Sequence, residues 1–328
     1  VPAHLAADQS QSLPTFLRTL GKPYFVDPMT FAFAVPGADL TNTRGDGLKR
    51  SYRKLTERYR WPREYDFTSE TLSMDGFSGA AGGLDSSMRR LTESVLDFQL
   101  SLSALDQDTQ RYEQLALSFG AKLFPAGAPA KEPEFLVPPY FFFSGYDDPA
   151  YEMTLLAARQ AIEIGKGRRI FSVLAMTLDF LMRGDFGQLA NDFRSLHGII
   201  LWVDAFNDQV RSDRDLIAFR KLVRLLSPGR VVLNLYGGRF SIVLETDGLS
   251  GYSSGVCYGE SKVQAAISGG VIPPRYYASL PMMKLTQADA LRFLEKTNGV
   301  CGCAVCQQIF ADIGGRTSGW QNRFVRAL

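Results

Sequence analysis

The sequence predicts an α/β fold, a TIM-type (β/α)8 barrel with a helical insertion and a C-terminal metal-binding element. Three observations lead there. From residue 135 onward, short apolar runs alternate with amphipathic stretches, the rhythm of a parallel sheet wound by helices. Acidic and glycine residues gather just after those runs, where a parallel barrel places its functional groups. Three of the four cysteines, Cys301, Cys303 and Cys306, stand close together near the C-terminal end.

The elements follow in chain order. Pro14–Leu20 reads as a short helix, and Lys22–Asp27 as a buried strand ending in a carboxylate before a proline. Residues 41–72 are basic and mixed, 73–83 are glycine-rich, and Ser86–Phe119 repeats apolar residues at three and four, as a helix does. Residues 120–134 look like a linker. Phe135–Phe143 is expected to be a strand and Tyr151–Ile164 a helix. Strands are then expected at Arg169–Leu178, Gly198–Asp204, Arg230–Leu235, up to Glu260, and at Arg275–Leu280. Helices are expected at Gly187–Ser195, Arg214–Leu226 and Thr286–Thr297. The expected organisation is a first barrel strand region (1–40), an inserted, mainly helical region (41–134), the remainder of the barrel (135–300) and the metal-binding element (301–328).

Composition bounds the function. The chain has 328 residues, 45% of them hydrophobic and 21% charged, enough for one large barrel. No apolar run is long enough to span a membrane, and Val1–Ser12 carries no signal-peptide pattern. A cytoplasmic location is expected. The formal charge of +2 neither demands nor excludes nucleic acid. Residues 44–63 are locally basic, with Arg50, Arg53, Lys54 and Arg58 interleaved with Tyr52, Tyr59 and Trp61. Cations hold phosphates and aromatic faces stack bases, so this mixture suits DNA or tRNA. The alternative is a solvated helix face with packed aromatics.

Three constellations carry chemistry. The C-x-C-x-x-C of Cys301, Cys303 and Cys306 gives thiolates too close for mutual disulfides, yet able to wrap a structural Zn2+. A fourth ligand is expected past Leu328, with Cys257 the alternative. His197 precedes a strand and is expected to be structural. Asp27 and Asp204 end apolar strands and could divide the roles of nucleophile and acid or base. Each could instead cap the following helix, and Asp179 and Asp185 are weaker candidates. The third is backbone: Tyr236-Gly237-Gly238 and the glycines from Gly255 to Gly259 let a flat ligand approach main-chain groups.

Taken in order, these pieces resemble the tRNA-guanine transglycosylase superfamily over about residues 198–306 and the first strand. Tyr24–Asp27 resembles the family's strand ending in a catalytic Asp, with Pro28-Met29-Thr30 where the family has Ser-Gly-Gly. Trp202-Val203-Asp204 resembles its base-recognising Asp. Leu235–Gly238 is similar to its Val-Gln-Gly-Gly, with Tyr236 replacing the Gln. Ser254–Glu260, Pro274-Arg275-Tyr276 and the cysteine cluster resemble later motifs. The family's last-strand nucleophilic Asp has no counterpart in Asn298–Cys303. The long stretch between Asp27 and Asp204 is similar to that of the DNA-modifying members.

The resemblance implies base exchange, replacing guanine with a 7-deazaguanine in DNA or tRNA. Asp27 would be the catalytic carboxylate, and Asp204, Tyr236, Gly237, Gly238, Gly255 and Glu260 would hold the base. One alternative is a catalytically altered barrel that binds nucleic acid or a purine base within a larger assembly of partner proteins. Another is an unrelated barrel hydrolase.

Overall fold

The computed structural model describes residues 1–10, 12–35, 40–42, 44, 47–60, 83–103, 111, 115, 118, 132–208, 210–253, 262–263, 275–278, 283–286, 289, 292 and 296. The chain divides into two compact units, Val1–Ser268 and Gly269–Leu328.

The first unit is built on one parallel sheet. Its strands are β1 (Phe142–Phe143), β2 (Phe171–Met176), β3 (Gly198–Val203), β4 (Val231–Asn234) and β5 (Gly251–Tyr252). They lie side by side in chain order, every neighbouring pair parallel. Ala175 is in register with both Phe142 and Trp202, so the central strands are aligned residue for residue. β2 and β3 are buried along their whole length. Near-continuous apolar runs become such strands because helices cover both faces of a parallel sheet.

The connecting helices start where side chains satisfy their first N–H groups. Asp148 accepts from Ala150 N ahead of α5 (Pro149–Ile164), where a proline at the first position costs no hydrogen bond. Thr177 caps α6 (Leu178–Arg183), which precedes α7 (Gly187–Asp192). Ser212 and Asp215 form a reciprocal capping box on α8 (Asp213–Leu226). A short α9 (Phe240–Leu244) links β4 to β5.

Residues ahead of the sheet form α1 (Ala3–Asp8), α2 (Leu13–Leu20), a 3₁₀ turn at Thr30–Phe33, α3 (Arg50–Arg58) and α4 (Gly83–Ser101). The extended segment ending at Asp27 pairs in parallel with Pro2. On its other side, Tyr24 accepts a bond from Glu134 N at 2.8 Å.

Three expectations change. Phe135–Phe143 is not one strand. It meets the sheet at a bridge from Leu136 to Ile170 and again at β1. Between them Pro138 and Pro139 have no N–H to give a ladder. Side chains take over there: Gln99 grips Val137 through both N–H and C=O, Thr30 Oγ1 accepts from Tyr140 N, and Thr154 Oγ1 accepts from Phe141 N. The expected helix from Ser86 starts earlier, at Gly83, and is continuous to Ser101. In the second unit, β6 (Arg275–Ala278) pairs antiparallel with β7 (Met283–Thr286) rather than extending the parallel sheet. The expected helix over Thr286–Thr297 is met at Asp289, Arg292 and Lys296, which are helical. The α/β class with a parallel sheet is as expected, and among the described residues that sheet has five strands where a barrel of eight was expected.

Candidate active site

Asp27 is where the extended segment places its carboxylate inside the protein. The residue is 8% exposed, and its backbone is held on both sides by Val1 O and Ala3 N at 2.9 Å. Oδ1 accepts from Met29 N at 3.0 Å and from the Tyr140 hydroxyl at 2.8 Å. Met29 sits at φ 57°, a left-handed turn that brings its N–H back onto the carboxylate. The neighbouring carbonyl of Pro28 accepts from the Tyr59 hydroxyl at 2.9 Å. Burial drives both phenols well above their ordinary pKa, and the charge of Asp27 pushes the same way. They therefore stay protonated and remain donors.

Beside this carboxylate lies a cage of aromatic rings around one ammonium group. Lys262 Nζ is 5.1 Å from the ring centres of Trp202 and Tyr236 and 5.5 Å from that of Phe31. It donates to the Tyr236 hydroxyl at 3.2 Å. Its backbone is tied to the end of β3, where Ala205 N donates to Lys262 O at 2.9 Å. Burial lowers the pKa of Lys262, and the charge of Asp27 opposes that shift. On the far side, His4 stacks on Tyr52 with ring centres 4.8 Å apart. Burial, helped by the positive charge of Lys262, pushes His4 down to about 4, so it is neutral at neutral pH. Burial also raises the Tyr236 phenol, with the charge of Asp27 adding to the shift.

The turns after β3 and β4 form a second polar patch. Asp204 ends β3, half-buried, with its N–H on Met176 O at 2.9 Å. Asp208, four residues on, accepts from Phe240 N at 2.6 Å through Oδ2, while its buried Oδ1 has no partner among the described residues. Gly237 and Gly238 follow Tyr236, which has φ 57°. A Cβ at Gly237 would overlap Ser241 Oγ, and one at Gly238 would overlap the Asp208 carboxylate. The glycines thus admit the protein's own side chains to the turn. Gly237 N–H is spent on Ser253 O and Gly238 C=O on Ser241 N. A cavity of about 10 Å³, room for a single water, opens here between Phe206, Asp208, Asn234, Tyr236, Gly238 and Phe240.

The remaining candidates separate. The basic stretch is an amphipathic helix. Tyr52, Leu55 and Tyr59 are buried beneath α3, so those tyrosines are packed and not free to stack bases, as in the alternative of a solvated helix face with packed aromatics. Arg50 and Lys54 turn to Asp8 at 3.1 and 2.9 Å, while Arg53 and Arg58 face outward. His197 Nδ1 accepts from Ile170 N at 3.3 Å at the amino ends of β2 and β3, in keeping with a structural role. Asp179 is exposed in the first turn of α6, and Asp185 closes a turn onto Gly187 N. Gly255, Cys257, Glu260, Cys301, Cys303 and Cys306 lie outside the described residues, and no group of metal-ligating side chains occurs among the described ones. No helix among the described residues is long and apolar enough to cross a membrane.

The residues that sequence reasoning passed over are Tyr140, Asp208 and Lys262, and Tyr59 was read only as an aromatic of the basic stretch. Tyr140 sits inside an aromatic run and Lys262 is a single lysine in a polar stretch, so neither has a motif to mark it. Comparison with known proteins finds no matching family, no matching curated protein and no matching solved structure.

Proposed function

We propose that this chain is a guanine-transglycosylase-like enzyme that replaces guanine with a 7-deazaguanine in DNA or tRNA. The observation that carries the reading is the buried Asp27 carboxylate, fixed by Tyr140 and Met29 beside the positive charge of Lys262. A carboxylate held this firmly is organised for work as nucleophile or acid and base. In the exchange, the bond from the sugar to guanine breaks, with its electron pair leaving on the base. The departing guanine takes up a proton and a carboxylate holds the sugar carbon. The 7-deazaguanine then gives up its ring N–H proton, which makes good the one guanine took, and its nitrogen bonds the sugar carbon as the carboxylate leaves. The guanine must leave its stack to reach such a site.

Asp204 would take the donor edge of the purine. The peptide between Gly237 and Gly238 would supply an acceptor and a donor, because its C=O and N–H are in no backbone bond among the described residues. Gly255 and Glu260 would complete the base site. The sheet would close as a (β/α)8 barrel. The outward Arg53 and Arg58 would meet phosphates. Cys301, Cys303 and Cys306 are a donor set chemically suited to Zn2+, which would brace the C-terminal element.

The test is incorporation of labelled 7-deazaguanine into guanine-containing DNA and tRNA. Wild-type protein should incorporate label, and Asp27→Ala should not. No incorporation by wild type, or equal incorporation by the variant, sinks the reading.

A second reading is favoured by the sequence Asn298–Cys303, which holds no counterpart of the nucleophilic Asp that the resembled family carries there. On this reading the chain binds a base or nucleic acid within an assembly and exchanges nothing. Purine binding without incorporation would select it.

A further inference from the structure

The ammonium of Lys262 has three protons to donate and, among the described residues, one oxygen partner, the Tyr236 hydroxyl. No carboxylate makes an ion pair with it among the described residues. Aromatic faces surround it instead, and Trp202 beneath it brings a second unmet donor. Trp202 is 1% exposed, and its indole Nε1 is buried with no acceptor among the described residues. The indole N–H of Trp202 and the remaining ammonium protons of Lys262, unmet among the described residues, call for a ligand that brings acceptors. Rings on several sides also call for a ligand that is flat.

We propose that Lys262 is a ligand-binding cation of this site, donating to the ring carbonyl oxygen of a purine base. This rests on the base-exchange reading and deepens it by naming the group that recognises the carbonyl. The same contact serves the chemistry. When the sugar–base bond breaks, the electron pair stays on the base and spreads onto that carbonyl oxygen, so a fixed ammonium holds the departing charge. Tyr236 orients the ammonium, and the Ala205–Lys262 backbone bond holds it at the end of β3. The charged and titratable groups facing it are Asp27, His4 and Tyr236.

The probe is a pair of ligands, 7-deazaguanine and 2-amino-7-deazapurine. The second lacks the carbonyl oxygen and, with it, the adjacent ring N–H, so the comparison between wild type and the Lys262 variants isolates the carbonyl contact. Equilibrium dialysis measures both on wild type, Lys262→Met and Lys262→Arg, with circular dichroism confirming that each variant is folded. Wild type should prefer the carbonyl ligand at least tenfold, about what a charge-assisted hydrogen bond gives. Lys262→Met should erase that preference, and Lys262→Arg should restore part of it. If Lys262→Met does not fold, Lys262→Gln takes its place, and an undiminished preference in that folded variant overturns the role of Lys262. Equal binding of both ligands by wild type overturns the role of Lys262 while leaving base binding intact. A preference that survives in folded Lys262→Met does the same. If wild type binds neither ligand, both this inference and the base-exchange reading fall.

Discussion

Replacing Tyr140 with Phe removes one oxygen from the core and leaves the ring. Tyr140 is 0% exposed, and its hydroxyl lies 2.8 Å from Asp27 Oδ1. A hydrogen bond to a charged group contributes about 1.5–3 kcal/mol, so Tyr140→Phe should lower unfolding stability by about that much. Asp27 would keep only the Met29 N–H of its two bonds to Oδ1. The cause can be isolated by adding Asp27→Asn, since an amide oxygen in the same place accepts only a neutral bond, about 0.5–1.5 kcal/mol. Urea unfolding of the four proteins at pH 7 should therefore give a coupling of about 1 kcal/mol or more between the positions. A coupling below about 0.5 kcal/mol would show that the hydroxyl does not serve the carboxylate. It would remove the argument that Tyr140 organises Asp27.

Gln99→Leu should cost about 2–6 kcal/mol in urea unfolding, because two buried main-chain groups of Val137 lose their partner at about 1–3 kcal/mol each; a loss under about 1 kcal/mol would contradict the clamp. Gly198→Ala should cost about 1–3 kcal/mol by overpacking, since the new methyl would overlap Phe171, itself stacked on Phe135 at 3.9 Å. An unshifted urea midpoint would show that β3 has room. His4 carries a pH signature. Its pKa is about 4 when folded and 6.5 ordinarily, so between those values the unfolded chain takes up a proton and the folded chain does not. Stability is lost as pH falls from about 6.5 to about 4, by at most about 3 kcal/mol from this group. His4→Phe, which keeps an aromatic ring against Tyr52, should flatten that slope, and melting curves of identical pH dependence would refute the assignment.

The sheet was legible because hydrophobicity alone writes it. Ile199 to Val203 is apolar throughout, Phe171 to Met176 is apolar but for Ser172, and a strand covered on both faces accepts such runs. The break at Pro138–Pro139 was harder to read, because the partners that rescue it come from Gln99, Thr30 and Thr154. Asp27 announced itself at the end of an apolar run. Tyr140 stands 113 residues away and Lys262 far beyond it, and nothing in a linear pattern says that they meet. The basic stretch left one point open. Charge shows in composition, but whether an intervening tyrosine points in or out depends on which face of the helix it occupies, and Tyr52 and Tyr59 point in.

The grip of Gln99 on Val137 changes what the helical insertion is. A strand normally borrows its rigidity from the strands beside it. Here the stretch leading to Tyr140 borrows from a helix, so α4 works as a splint on the segment that carries the hydroxyl facing Asp27. Trimming residues 41–134 would take that splint away and leave both main-chain groups of Val137, just ahead of the prolines, without their partner. The insertion and the carboxylate site therefore stand or loosen together.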